Sequence, residues 1–193
     1  FRLLPLAGFE LEARALATER YRSDAGAALA PLDVAFAWQR ASDQAVIDRL
    51  DIRQGARFYT WSYKGAPPLP PAELVRSSAN MHLIPADAAV ERTLLAIRPG
   101  QRVHLSGLLV EAEGADGFRW RSSLTREDSG NGACELVRTW SRPSASVQAS
   151  EPWVSRWACC TREVEQVISW TRSAAARSTV NGSPPPNRPR LGR

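Results

Sequence analysis

The sequence predicts an α+β domain over residues 1 to 140, with N-terminal helices packed on an antiparallel β-meander that could close into an OB-like small barrel. Three observations predict it. Apolar residues recur at helical spacing near the N-terminus, hydrophobicity alternates along three successive segments between 102 and 140, and the texture of the chain changes after Trp140.

Residues 5 to 21, PLAGFELEARALATERY, place Leu6, Phe9, Ala13 and Leu16 on one helical face, which predicts an amphipathic helix. Pro31 and Asp33 suit the first turn of a second, short helix that buries Val34, Phe36 or Trp38. Ser42 reads as the N-cap of a third over DQAVIDRL, with Val46, Ile47 and Leu50 facing inward. At 56 to 63 the pattern turns to alternation, with Tyr59, Trp61 and Tyr63 on one face, so a strand is expected. Pro67, Pro68, Pro70 and Pro71 end it and form a connector, with a short helix near 72 to 76. A brief strand over 81 to 84 precedes a helix that Asp87 caps and that buries Val90, Leu94 and Ile97.

The alternation is clearest in RVHLSGLLVEAE (102 to 113), where Val103, Leu105, Gly107 and Leu109 oppose His104, Ser106, Leu108 and Val110. FRWRSSLT (118 to 125) and ACELVRTW (133 to 140) follow as the second and third strands, joined by GADG and REDSGNG turns. Gly107 in mid-strand fits the bulge or sharp bend that a small barrel needs.

A chain of 193 residues that is 44% hydrophobic and 23% charged is that of one ordinary globular domain rather than a disordered or fibrous protein. The +5 charge and pI near 9.7 suggest nucleic acid or an anionic surface until the charges are placed. Residues 1 to 140 hold sixteen Arg and Lys64 against seventeen Asp and Glu, so eight later Arg against Glu151, Glu163 and Glu165 supply the whole excess. Residues 141 to 193 are thus a basic Pro/Ser-rich tail, read either as largely disordered or as translation in a shifted frame. Cys134, Cys159 and Cys160 make no disulfide framework, and no apolar stretch approaches the roughly 18 residues of a membrane span. Phe1 in place of an initiator Met suggests a preceding segment.

The runs PLDVAFAWQRASD (31 to 43), SSANMHLIPAD (77 to 87), GQRVHLSGLLVEAE (100 to 113) and WRSSLTREDSGNGACELV (120 to 137) resemble an uncharacterised proteobacterial family whose small α+β domain often follows a single hydrophobic N-terminal segment. The resemblance covers about residues 3 to 140. It implies a membrane-anchored, periplasm-facing place in the cell envelope and assigns no activity.

Candidate chemistry starts from Cys134 with His82 as its base, oriented by Asp128 or Asn80, because a nucleophilic thiol needs a base in reach and a group that fixes the base's tautomer. The bland alternative is a small buried cysteine and a satisfied histidine beside a turn. Ser122 and Ser123 lack a nucleophile elbow, and strand-face hydroxyls explain them better. His82, His104, Cys134 and Glu135 show no close-spaced metal pair, and Glu127, Asp128 and Asn131 lack the EF-hand pattern, so no metal or cofactor is expected. Tyr59, Trp61, Tyr63 and Trp120, with Arg57, Arg119 and Arg121, form a candidate stacking surface for a ligand or single strand. Trp120 and Phe118 are not expected both to lie opposite Arg119. The leading expectation is a non-enzymatic envelope domain that binds another envelope protein or acts in assembly. The alternatives are a cysteine-dependent hydrolase or transferase and nucleic-acid binding through the tail.

Overall fold

The computed structural model describes residues 1 to 125 and 135 to 140. Strands dominate it, and the predicted first helix is a strand, β1 (Arg2–Arg20). Its buried residues are Phe9, Leu11, Ala13 and Ala15, a period of two. Phe9 and Ala13, four apart, satisfy a helical and a strand period alike, which is why the segment misleads. One long stretch of β1 pairs antiparallel with β6 (Arg102–Glu113), from Arg2↔Glu113 to Arg14↔Arg102. Its last residues pair with β2 (Leu32–Ala37), from Arg14↔Ala37 to Arg20↔Leu32. Register shifts at Pro5/Ala7 and Ala15/Ala17 bend it between the two partners.

The predicted second helix is β2, which is buried at every position and therefore carries no alternation to read. It pairs antiparallel with β5 (Ser78–Pro85), which pairs parallel with β8 (Glu135–Thr139); β8 pairs antiparallel with β6, and β6 with β1. The circuit of pairings β1-β2-β5-β8-β6 thus returns to its start. A short strand, β7 (Arg119–Arg121), pairs with Glu111 to Glu113 of β6, while β8 pairs with Gly107 to Leu109 on the same strand. The expected meander order, with the second strand between the first and third, is therefore not formed. Residues 126 to 134, with the second predicted turn, lie outside the described residues, as does the tail.

The main core lies against the inward face of this circuit, with Phe9, Leu11, Phe36, Met81, Leu83 and Leu105 among its members. Helix α3 (Ala88–Leu95) follows β5 and adds Val90 and Leu94; as expected, Asp87 caps it, accepting from the Ala89 and Val90 amides at 2.7 and 2.9 Å. The third predicted helix shrinks to α1 (Gln44–Ile47), with Asp43 and not Ser42 at its cap position, and Leu50 opens a strand instead. That strand, β3 (Leu50–Gly55), forms a hairpin with the expected β4 (Phe58–Tyr63) through Ala56 and Arg57, both at positive φ as a two-residue type I′ turn requires. Tyr59 and Trp61 pack beside Ala35 and Ala37 of β2 and Leu74 of α2 (Pro71–Arg76), in a second cluster.

At Gly107 two backbones approach closely, since a Cβ there would stand 2.3 Å from the Arg138 carbonyl oxygen. Gly107→Ala is expected to lower stability by about 1–3 kcal/mol in urea unfolding. Gly8→Ala, where a Cβ meets nothing within 4 Å, is expected to change it by less than about 0.5 kcal/mol. Equal costs at the two positions would contradict the close approach.

Candidate functional site

Alternation turns Leu32, Val34 and Phe36 of β2 to the core and leaves Asp33 and Ala35 on the other face. On β5, Met81 and Leu83 likewise face inward while Asn80 and His82 share the outer face, in register with Ala35 and Asp33. Asp33 has no exposure, and a carboxylate there needs a partner. Arg57 supplies it from the β3–β4 turn, donating from Nη1 to Asp33 Oδ1 at 2.8 Å and to the Ala30 carbonyl at 2.8 Å. The same guanidinium donates from Nε and Nη2 to the Asp24 carboxylate, both at 2.7 Å, and lies 3.7 Å over the Tyr21 ring. Tyr21 OH accepts the Arg57 amide at 2.8 Å, and Asn80 Nδ2 donates to the Arg57 carbonyl at 3.0 Å and to Asp33 Oδ2 at 3.3 Å. The loop 21 to 31, the hairpin turn and two sheet strands are thereby tied together.

The electrostatics follow from that geometry. Burial pulls the Arg57 guanidinium's pKa down, but its bonds and charge pairing with Asp24 and Asp33 outweigh burial and leave it above its ordinary value. The Arg57 hydrogen bond holds the Asp24 carboxyl below the usual carboxylate range. Burial pushes the Tyr21 phenol up.

Beside this network opens a pocket of about 830 Å³, lined by Asp24 to Gly26, Arg57, Phe58, His82 and residues 118 to 124. Its wall is Trp120 of β7, whose ring centroid is 4.5 Å from that of His82 and 6.3 Å from that of Phe118. Trp120 also crowds Gly26, where a Cβ would meet its ring carbon at 2.7 Å. Contrary to the expectation, Phe118 and Trp120 share a face and pack on a third cluster, as strand alternation dictates for positions two apart. Arg119 and Arg121 both donate to the carboxylate of Glu111, a β6 residue only 2% exposed. Arg119, with help from Arg121, holds that carboxyl below its usual range.

His82 stands in mid-strand, fully buried, rather than beside a turn. Its Nδ1 is 2.9 Å from Asp33 Oδ1, and among the described residues neither ring nitrogen has a hydrogen-bond partner. Ser122 and Ser123 line the same pocket, with Ser122 Oγ donating to the Ser123 carbonyl at 3.0 Å and accepting the Leu136 amide at 3.1 Å.

Of the candidate residues, His82, Trp120 and Arg121 converge on this pocket, with Arg57 and Arg119. Tyr59 and Trp61, expected on an open stacking face, are 0% and 4% exposed because the hairpin folds that face onto β2. Asn80 steadies Asp33 and Arg57 and has no bond to His82. His104 instead meets Glu10 at 2.9 Å on the surface. Cys134 and Asp128 lie outside the described residues. Among the described residues, no group of three His, Cys, Asp or Glu is placed to hold a metal. Sequence reasoning missed Asp24, Asp33 and Gly26 as site residues; a lone acid in the otherwise apolar run LDVAFA is the signal that could have found Asp33.

Because the folded pKa of Asp24 is depressed, its bond with Arg57 contributes fully above the unfolded carboxyl value near about 4 and is lost as pH falls through the lower folded value. Arg57→Met is therefore expected to lower stability by about 3 kcal/mol near neutral pH, the cost of stranding a buried carboxylate. It should also flatten the fall in stability below about pH 4, seen by unfolding the wild type and the variant from pH 7 to pH 3. An unchanged acid limb would contradict the Asp24–Arg57 bond.

Compared with family models, curated proteins and solved structures, the chain matches none.

Proposed function

We propose that this chain is a non-enzymatic binding domain of the cell envelope, that its circuit of strands is an OB-like small barrel, and that its ligand enters the pocket over β2 and β5. The observation that carries this reading is His82, a fully buried imidazole that lines the pocket and whose ring nitrogens have no hydrogen-bond partner among the described residues. An unmet buried polar group costs about 1–3 kcal/mol, and a polar ligand atom would relieve it. The position of the pocket supports the reading. OB barrels bind on the face of their second and third strands, between the loop joining the first two strands and the loop joining the last two. In chain order around the circuit those strands are β2 and β5; the first loop is residues 21 to 31, and the described part of the second is residues 114 to 125. This part of the argument is analogy of fold. The envelope assignment is supported by the family resemblance. Among the described residues no helix is long and apolar enough to cross a membrane.

Hydrolysis or group transfer by Cys134 and His82 is a second reading, favoured by Asp33 standing 2.9 Å from the imidazole as an orienting acid would. Thiol labelling separates the two: an inert Cys134 supports binding alone, and fast labelling that His82→Ala slows supports catalysis.

The chain has two histidines, so His82 and His104 are easily told apart in a side-chain nitrogen spectrum. Small aromatic compounds that bind are expected to shift the His82 ring signals and leave those of His104, and Trp120→Ala is expected to weaken them roughly tenfold. Binding that shifts His104, or that ignores Trp120, would contradict the assignment of the pocket.

A further inference from the structure

We propose that the ligand of this pocket is an uncharged phenol, a flat aromatic ring whose O–H donates to Nε2 of His82; this rests on the pocket reading above. The charges around the imidazole decide which of its nitrogens is left to a ligand. Nδ1 stands 2.9 Å from Asp33 Oδ1, and a carboxylate oxygen at that distance attracts an N–H and repels a lone pair, so the proton belongs on Nδ1. Arg57 already meets the charge of Asp33, donating to the same Oδ1 at 2.8 Å, so no second cation is needed there. A charged imidazole with no exposure and an unbonded Nε2–H would cost more than a neutral one. Nε2 therefore keeps its lone pair, and among the described residues nothing donates to it.

The rest of the lining decides what kind of donor fits. Four of the five N–H groups of Arg57 are given to Asp24, Asp33 and the Ala30 carbonyl. Arg119 and Arg121 stand on the opposite face of β7 from Trp120, where Glu111 accepts from both and Glu113 lies across the ladder from Arg119. An anion in the pocket would thus meet cations already engaged, and the carboxylates of Asp24 and Asp33 would repel it. A bare hydrocarbon would leave Nε2 unmet. Phe58, Phe118 and Trp120 supply apolar walls for the ring of a phenol, and the cavity volume of about 830 Å³ falls within the small-molecule range. The Trp120 ring covers the imidazole, with 4.5 Å between centroids, and stands on a strand of three residues. The phenol reaches Nε2 as that ring shifts along the wall, and stacks against it.

The test titrates the full chain at neutral pH with 2-naphthol, its methyl ether and 2-naphthoate, by calorimetry and by the nitrogen signals of the His82 ring. In the free protein those signals are expected to show a protonated Nδ1 and a bare Nε2; the opposite tautomer, or an imidazolium, would overturn the inference. Naphthol is expected to bind roughly tenfold more tightly than the ether and to move the Nε2 signal further. His82→Phe is expected to erase the difference between the two. The comparison of naphthol with its ether needs no variant, so it decides the matter even where His82→Phe fails to fold. Equal affinity for both, with the His82 signals moved by both, would overturn the phenol inference and leave the pocket reading standing. Naphthoate binding more tightly than naphthol would overturn it in favour of an anionic ligand. If no probe moves the His82 signals, the pocket reading and the inference fall together.

Discussion

Asp33 is a carboxylate with no exposure on a strand that is buried throughout, and Arg57 reaches it from a hairpin turn 24 positions further along the chain. A buried charge stranded without a partner is far more costly than an exposed one, so once β2 takes its place in the sheet the turn is drawn to that spot. The remaining donors of Arg57 then fix Asp24 and the Ala30 carbonyl, which orders the loop between β1 and β2. Arg57 itself sits at φ 68°, a region that costs a non-glycine residue energy, and these bonds are what hold it there.

The pocket follows from this anchoring. Its near side is the anchored loop and turn, its floor is His82 beside Asp33, and its far side is Trp120 on β7. Gly26 lets the loop close against the Trp120 ring, where a side chain would collide. On the opposite face of β7 from Trp120, Glu111 draws Arg119 and Arg121 together. Two largely buried carboxylates on the sheet, Asp33 and Glu111, thus fix three arginines in place.

Parts of this were legible in the sequence, for identifiable reasons. β4, β6 and α3 each carry a clean period bounded by turn or capping residues, and Asp87 caps α3 as its position suggests. β1 was not legible, because Phe9 and Ala13 fit two periods and the Ala, Leu, Glu and Arg around them favour helix locally. Pairing with β6, nearly a hundred positions away, overrides that preference. β2 is buried on both faces and so shows no alternation, while Pro31 and Asp33 imitate a helix start. At the site, His82, Trp120 and Arg121 could be singled out by residue type. Their meeting depends on the parallel pairing of β5 with β8 and on the placement of β7 along β6, which no local pattern encodes. Tyr59 and Trp61 were misjudged because an alternating aromatic face looks the same whether it meets a ligand or a neighbouring strand.

A double-mutant cycle on Asp33→Asn and Arg57→Met, read by urea unfolding at neutral pH, tests the anchoring most directly. If the buried pair holds the hairpin turn on the sheet, the double variant should be less destabilised than the sum of the single ones by about 2 kcal/mol or more. Costs that add to within about 0.5 kcal/mol would show that the two residues act independently, and would contradict the account.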